Sequence, residues 1–207
     1  MTYTVHDLFH TLQGEGAQAG RSAVFLRFAG CNLWSGREAD RATAICRFCD
    51  TEFVGGAKYA TAEALANAAR LCWDQAVNVP GVRPYIVSTG GEPLLQLDTP
   101  LIDALHEQGF EIAVETNGTM PVPPGIDWVC VSPKAGAPLE QTSGHELKVV
   151  WPQQGLDLEE LAELDFQRFL LQPMDGHPGA TELCVDWCRA HPPWRLSLQT
   201  HKILGIP

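Results

Sequence analysis

Seven short apolar runs recur along the 207-residue chain, at Ala23–Phe28, Tyr85–Thr89, Glu111–Glu115, Trp128–Ser132, Glu146–Val150, Phe169–Gln172 and Arg195–Gln199, and their rhythm leaves few folds open. Helical patterns lie between several of them, as expected for βα repetition around a mainly parallel sheet. Thr61 is placed to cap a helix over Ala62–Trp73, with Leu65, Ala68, Ala69 and Cys72 on one face. Thr99-Pro100 opens a second helix that Gly109 ends, and Asp157–Leu164 and Thr181–Ala190 are two more. Val5–Leu12 is expected to form a separate ribbon. No repeat, low-complexity tract or linker divides the chain, so a single domain over residues 1–207 is expected. A complete eight-stranded barrel normally needs ~250 residues, so the α/β fold should be a shortened, partly open barrel.

The polar punctuation falls just after the strands: Gly30-Cys31, Gly90-Gly91-Glu92-Pro93, Thr116-Asn117-Gly118, Pro133-Lys134 and Pro173-Met174-Asp175. Ligands bind at the carboxyl ends of strands in parallel α/β folds, so the chemistry should converge on one rim. A net charge of −11, with acidic residues scattered, repels phosphate backbones and argues against nucleic acid. No apolar run approaches the ~20 residues needed to span a bilayer, and the N-terminus has no signal-peptide pattern, so a cytoplasmic protein away from membranes is expected.

Seven cysteines cannot all pair, and without a secretion signal clustered cysteines point to metal or catalysis. Cys31, Cys46 and Cys49 are clustered; Cys72, Cys130, Cys184 and Cys188 are dispersed among apolar residues and read as small buried hydrophobes. A [4Fe–4S] cluster on three thiolates leaves one iron open, whereas structural zinc needs a fourth protein ligand such as Asp50 or His10. Spacing alone weighs the two about evenly. Gly90-Gly91-Glu92-Pro93 tips the balance towards the cluster. Its glycines admit a ligand close to the backbone, and Glu92 is then placed to accept a hydrogen bond from a cationic amine. An isolated Gly-Gly would be an ordinary turn, but this one ends the sheet strand that follows the cysteine loop.

Together the cysteine loop, the Gly-Gly-Glu-Pro turn and the βα succession resemble the radical S-adenosylmethionine superfamily. The superfamily's loop has three residues between its first two cysteines; here there are fourteen, Asn32–Ile45, which makes an extended cluster-binding loop over 31–49. Closing a longer loop adds little entropy cost. Further segments narrow the likeness: Leu12-Gln13-Gly14-Glu15-Gly16, Arg27, Asp50-Thr51 after Cys49, Glu115-Thr116-Asn117-Gly118, Ser132-Pro133-Lys134 and Gln199-Thr200-His201-Lys202. With these the chain resembles the 7-carboxy-7-deazaguanine synthase family of the queuosine (7-deazapurine) pathway.

That resemblance implies a (β/α)6-type partial TIM barrel, a homodimer, and an electron donor such as a flavodoxin or ferredoxin. It implies that 6-carboxy-5,6,7,8-tetrahydropterin contracts to 7-carboxy-7-deazaguanine with loss of ammonia, assisted by Mg²⁺ and started by a 5′-deoxyadenosyl radical. Because the radical derives from the cofactor, no side chain is expected to act as the catalytic group. The [4Fe–4S] cluster falls to Cys31, Cys46 and Cys49, and Mg²⁺ to Thr51. Substrate falls to Leu12, Gln13, Gly14, Glu15, Arg27, Thr89, His201 and the carboxylate of Pro207. Arg27 alone has support from its setting, an arginine inside the apolar Phe25-Leu26-Arg27-Phe28 suited to a bidentate carboxylate. S-adenosylmethionine falls to Phe48, Gly91, Glu92, Ser132, Pro133, Lys134, Gln172, Pro173, Met174 and Asp175, with Glu115 and Asn117 weaker candidates for either ligand. Two alternatives stay open: a glycyl-radical-enzyme activase, and a zinc-stabilised binding module.

Overall fold

Alternation of side chains along each strand decides this architecture, because successive residues face opposite sides of a sheet. The structure is a computed structural model that describes residues 2–207. Its strands are β1 (Tyr3–Leu12), β2 (Ser22–Phe28), β3 (Ala57–Tyr59), β4 (Tyr85–Gly90), β5 (Glu111–Thr116), β6 (Trp128–Val131), β7 (Ser143–Gly144), β8 (Glu146–Trp151), β9 (Asp165–Phe166), β10 (Phe169–Pro173) and β11 (Trp194–Leu196). Its helices are α1 (Ala62–Ala76), α2 (Thr99–Glu107), α3 (Leu158–Ala162), α4 (Ala180–Ala190) and α5 (Thr200–Leu204). Nine strands form one sheet in the order β11-β10-β8-β6-β5-β4-β2-β1-β3, and β7 pairs with β9 alone. From β2 to β11 every neighbour is parallel, and β1 runs antiparallel to both β2 and β3. The sheet stays open, with β11 and β3 at its edges.

One face carries Val24, Leu26, Phe28, Ile86, Ile112, Val114, Leu147, Val149 and Leu171, all buried against the helices. Each such side chain contributes roughly 1.5–3 kcal/mol, so this layer holds the helices to the sheet. The other face changes character along its length. Ala23, Tyr85, Val87 and Ala113 form an apolar floor with Phe25 and Trp128. Two residues further on, the same rows present Arg27, Thr89 and Glu115 to a cavity, joined from β8 and β10 by Lys148 and Gln172. Period-two alternation thus stacks a polar rim on an apolar plug.

Thr61 caps α1 by accepting a hydrogen bond from the Ala64 amide at 3.2 Å. The buried face is Ala62, Leu65, Ala66, Ala69 and Trp73, which leaves the expected Ala68 and Cys72 at its margin. The β1 segment is not a separate ribbon: Leu12↔Ser22 through Asp7↔Arg27 pair it into the main sheet. Helices are missing after β5 and β6. Pro121, Pro123 and Pro124 remove helical donors from the first of these connections. The last strand ends at Leu196 rather than Gln199, because residues 200–204 wind into α5, which Gly205 stops at φ 66°. Among the described residues no helix is long and apolar enough to cross a membrane.

Candidate active site

Cys31 lies just beyond β2, and Cys46 and Cys49 return to it after the long loop; all three thiols are free and line one cavity of about 300 Å³. A hydrogen bond between the Cys46 and Cys49 thiols pushes Cys46 up and pulls Cys49 down to about 6. Burial pushes the Cys31 thiol up. The two candidates for a fourth zinc ligand are engaged elsewhere. His10 meets Ser22 Oγ at 2.8 Å and packs edge-on to Trp73, while Asp50 accepts from Lys202 Nζ at 2.5 Å. Among the described residues no three His, Cys, Asp or Glu side chains converge on the position of a single ion. Three soft sulfur donors around a shared space fit a multi-iron cluster with one open iron.

The Gly-Gly-Glu-Pro turn closes on the cysteine loop through its backbone. Gly91 N donates to Phe28 O at 3.3 Å and Glu92 N to Gly30 O at 2.9 Å. Gly91 must lack a side chain here, since a Cβ would lie 1.9 Å from Gly30 O and 3.0 Å from Cys31 Cβ. Glu92 departs from the expected role beside a cationic amine. It is 0% exposed and outside the cavity wall, and its carboxylate accepts from Leu94 N (3.0 Å), Thr116 Oγ1 (2.8 Å) and Asn117 N (2.8 Å). The turn folds its first side chain inward, so Glu92 ties β4 to β5.

In the same cavity, charge is arranged around Lys148, which is 3% exposed. Its ammonium donates to Glu15 at 2.6 Å and Glu115 at 3.2 Å. Gln13 Nε2 donates to Glu115 at 2.8 Å, and Gln199 Nε2 donates to Glu15 at 2.8 Å. Burial opposes ionisation of Glu15, but the Lys148 charge and hydrogen bonds from Lys148, Gln199 and Gln172 hold its carboxyl at about 2. Lys148 itself is pushed well up, its desolvation outweighed by Glu115 and Glu15. Among the described residues Arg27 has no such partner: its Nε is buried without a hydrogen bond, and its guanidinium carbon sits 5.4 Å from the Phe9 ring centre.

The two ends of the sequence meet at this wall. Thr200 donates to Gly14 O through N (2.9 Å) and Oγ1 (2.8 Å), and a Cβ on Gly14 would lie 2.3 Å from His201 Nδ1. Thr11 Oγ1 donates to Pro207 O at 3.0 Å. Leu12, Gln13, Gly14, Glu15, Arg27, Thr89, His201 and Pro207 all line the cavity, as do Phe48, Gly91, Ser132, Lys134, Gln172, Pro173, Asp175 and Thr51. Pro133 and Met174 do not. Lys134 donates to Ser132 O (2.6 Å) and Oγ (2.8 Å), and burial lowers its pKa. Lys148, Gln199 and Lys202 also line the cavity but were not singled out as ligands from the sequence. Lys148 carried a usable signal, a charged residue inside an apolar strand.

No family model matches the sequence. The crystal structure of QueE from Escherichia coli aligns with a TM-score of 0.70 and 31% identity, covering 96% of this chain and 94% of that one. The open, mainly parallel sheet, with three thiols lining the cavity at its rim, is that of a radical S-adenosylmethionine enzyme with a partial barrel. Proteins named 7-carboxy-7-deazaguanine synthase match over all of both chains, at 59% identity in Burkholderia multivorans and 60% in Bordetella pertussis. This chain belongs to the 7-carboxy-7-deazaguanine synthase family, which are lyases.

Proposed function

We propose that this chain converts 6-carboxy-5,6,7,8-tetrahydropterin to 7-carboxy-7-deazaguanine with loss of ammonia, in a Mg²⁺-dependent radical ring contraction within queuosine biosynthesis. The observation that carries the reading is one cavity lined by a carboxylate acceptor, by a guanidinium without a partner among the described residues, and by three thiols. Glu15, held ionised, accepts from the N–H groups on the pyrimidine edge of a pterin, and Gln13 and Gln199 fix the acceptors around it. Arg27 pairs with the substrate carboxylate, whose charge answers its own. Thr51, beside Cys49, supplies a hard oxygen for Mg²⁺ that substrate oxygens complete. Phe48, Gly91, Ser132, Lys134, Gln172, Pro173 and Asp175 form the remaining wall for S-adenosylmethionine. When bound on Cys31, Cys46 and Cys49, a [4Fe–4S] cluster with S-adenosylmethionine supplies the 5′-deoxyadenosyl radical that starts the contraction. The packed walls hold both ligands in register and keep water out.

The whole described chain works as one domain in this reading. Exposed Arg37 and Arg47 near the cysteines, in an otherwise acidic protein, suit an acidic electron carrier such as a flavodoxin or ferredoxin. The exposed Leu196, Leu198, Ile203 and Leu204 suit a homodimer contact, and seven free cysteines suit the cytoplasm.

Anaerobic turnover of the carboxytetrahydropterin with reductant and Mg²⁺ tests the reading. Deazaguanine product is expected. Cleavage of S-adenosylmethionine without that product would favour an activase, and stoichiometric zinc after reconstitution with iron and sulfide would remove the cluster. Arg27→Met is expected to raise the substrate KM by roughly 10–100-fold, the worth of ~1.5–3 kcal/mol for a hydrogen bond to a charged group. Cleavage of S-adenosylmethionine without substrate should be unaffected. An unchanged KM would take Arg27 out of the binding site.

A further inference from the structure

The fourteen residues between Cys31 and Cys46 are not spare length. Leu33, Trp34 and Ala44 are buried, and Ile45 N donates to Leu33 O at 3.1 Å, so the segment closes on itself. Trp34 meets Phe53 edge-on at 5.5 Å, and Cys31 and Cys49 pack against the Trp34–Ala44–Phe53 cluster. A 3₁₀ turn over Glu38–Thr43 lifts one long side chain over this small core. Arg41 lays its guanidinium 4.0 Å from the centre of the Trp34 ring. Its Nη1 donates to Arg47 O at 2.9 Å and Cys49 O at 3.1 Å, while Nε donates to both Glu38 carboxylate oxygens at 2.9 and 2.7 Å.

We propose that Arg41 is a positioning residue for the iron–sulfur cluster, clamping the Cys46–Cys49 turn through its carbonyls, and that the inserted loop exists to deliver it. The inference rests on the cluster reading above. Arg41 is suited to the task because a guanidinium offers several donors in a rigid plane that also stacks on an aromatic face. A lysine has a flexible stem and no planar fork, so it cannot stack on Trp34, satisfy both carbonyls and hold Glu38 together. The same group leaves a positive charge on the peptide of a cluster ligand. Cluster potentials follow nearby charge and hydrogen bonding, so the clamp acts on the potential as well as on geometry.

The test uses the full chain, reconstituted anaerobically with iron and sulfide, and measures iron release to a chelator, reduction potential and the EPR spectrum of the reduced state. Arg41→Met is expected to release iron roughly 10–100-fold faster than the unaltered protein, the usual scale for residues that orient metal ligands. Its potential should fall with the lost charge. Arg41→Lys should release iron nearly as fast as Arg41→Met while its potential stays nearer the unaltered value. Glu38→Gln, a change at an exposed carboxylate that leaves the core intact, should move release in the same direction by less, and decides the case if the Arg41 variants do not fold. Arg70→Met serves as control, since it removes a comparable arginine on α1 that bonds Asp74 on the same helix and the Gln108 carbonyl at the end of α2. It should lower Tm without altering iron release. Release rates for Arg41→Met and Glu38→Gln equal to the unaltered protein would overturn the proposal. So would faster release with unchanged potential and EPR signal, or equal release from Arg70→Met at matched Tm. Failure of the unaltered chain to take up iron would instead defeat the cluster reading itself.

Discussion

Lys148→Met is expected to lower stability at neutral pH by about 3–5 kcal/mol, because it leaves two carboxylates facing a buried space without their cation. Urea denaturation at pH 7 measures this. The second consequence is a pH dependence the unaltered protein lacks. Glu15 titrates at about 2 in the folded chain, below its ordinary 4.5, so its contribution is fully present above ~4.5 and is lost as pH falls towards 2. Lys148 is displaced upwards from 10.5, so its contribution is fully present below that value and is lost only as pH rises beyond it. The pair is therefore constant across the working range of the protein. Without the ammonium, only the hydrogen bonds from Gln199 and Gln172 still favour the ionised Glu15, and burial, with like-charge repulsion from Glu115, pushes its carboxyl up. The substrate KM of the variant should then climb as pH is lowered from 8 to 6 (roughly in step with protonation of one carboxyl), while that of the unaltered protein stays level. Level KM in both proteins, with unaltered stability, would show that Lys148 plays no part in holding Glu15.

Gly91→Ala should separate the cluster from the rest of the fold. The added methyl meets backbone, Gly30 O at 1.9 Å, and no rotamer relieves a clash with a carbonyl. Overpacking of this kind costs ~1–3 kcal/mol, which the sheet tolerates, but the displaced atoms are the residues just before and at Cys31. The expected protein is folded by circular dichroism, low in iron and sulfide per chain, and without turnover. Full iron content with normal turnover would mean that the turn does not brace the cysteine loop.

How much of this could be read without coordinates depends on whether a rule of periodicity reaches the residue. Arg27 stood out because a charge interrupts the apolar Phe25–Phe28 run, and the alternation that exposed it also places Thr89 and Glu115 on the same row. Lys148 obeys the same rule inside Glu146–Val150, but no motif marks that strand. Glu92 poses a different difficulty. Its place in the chain beside two glycines is visible, but the direction of its side chain depends on a turn whose partner, the Gly30 carbonyl, lies 62 residues away in sequence. Trp34, Arg41 and Phe53 meet in irregular loop, where neither a period of two nor one of 3.6 applies. The β1 ribbon was legible as a strand, but its pairing was not, since the residues alone do not say which edge an extra strand joins.

The contact between Gly14 and Thr200 has a consequence for how the protein is made. Ribosomes deliver the chain from its N-terminus, and β1, β2 and β4 are available to pair long before residues 197–202 exist. Ser197 holds Gly16 N at 3.0 Å, Gln199 holds Glu15, and Thr200 holds Gly14, so the acceptor wall stays unfinished until this late segment arrives. A nascent chain therefore has its thiols and most of its sheet before this wall is finished. The order of synthesis thus delays the proposed substrate site until the strands that surround it have been made.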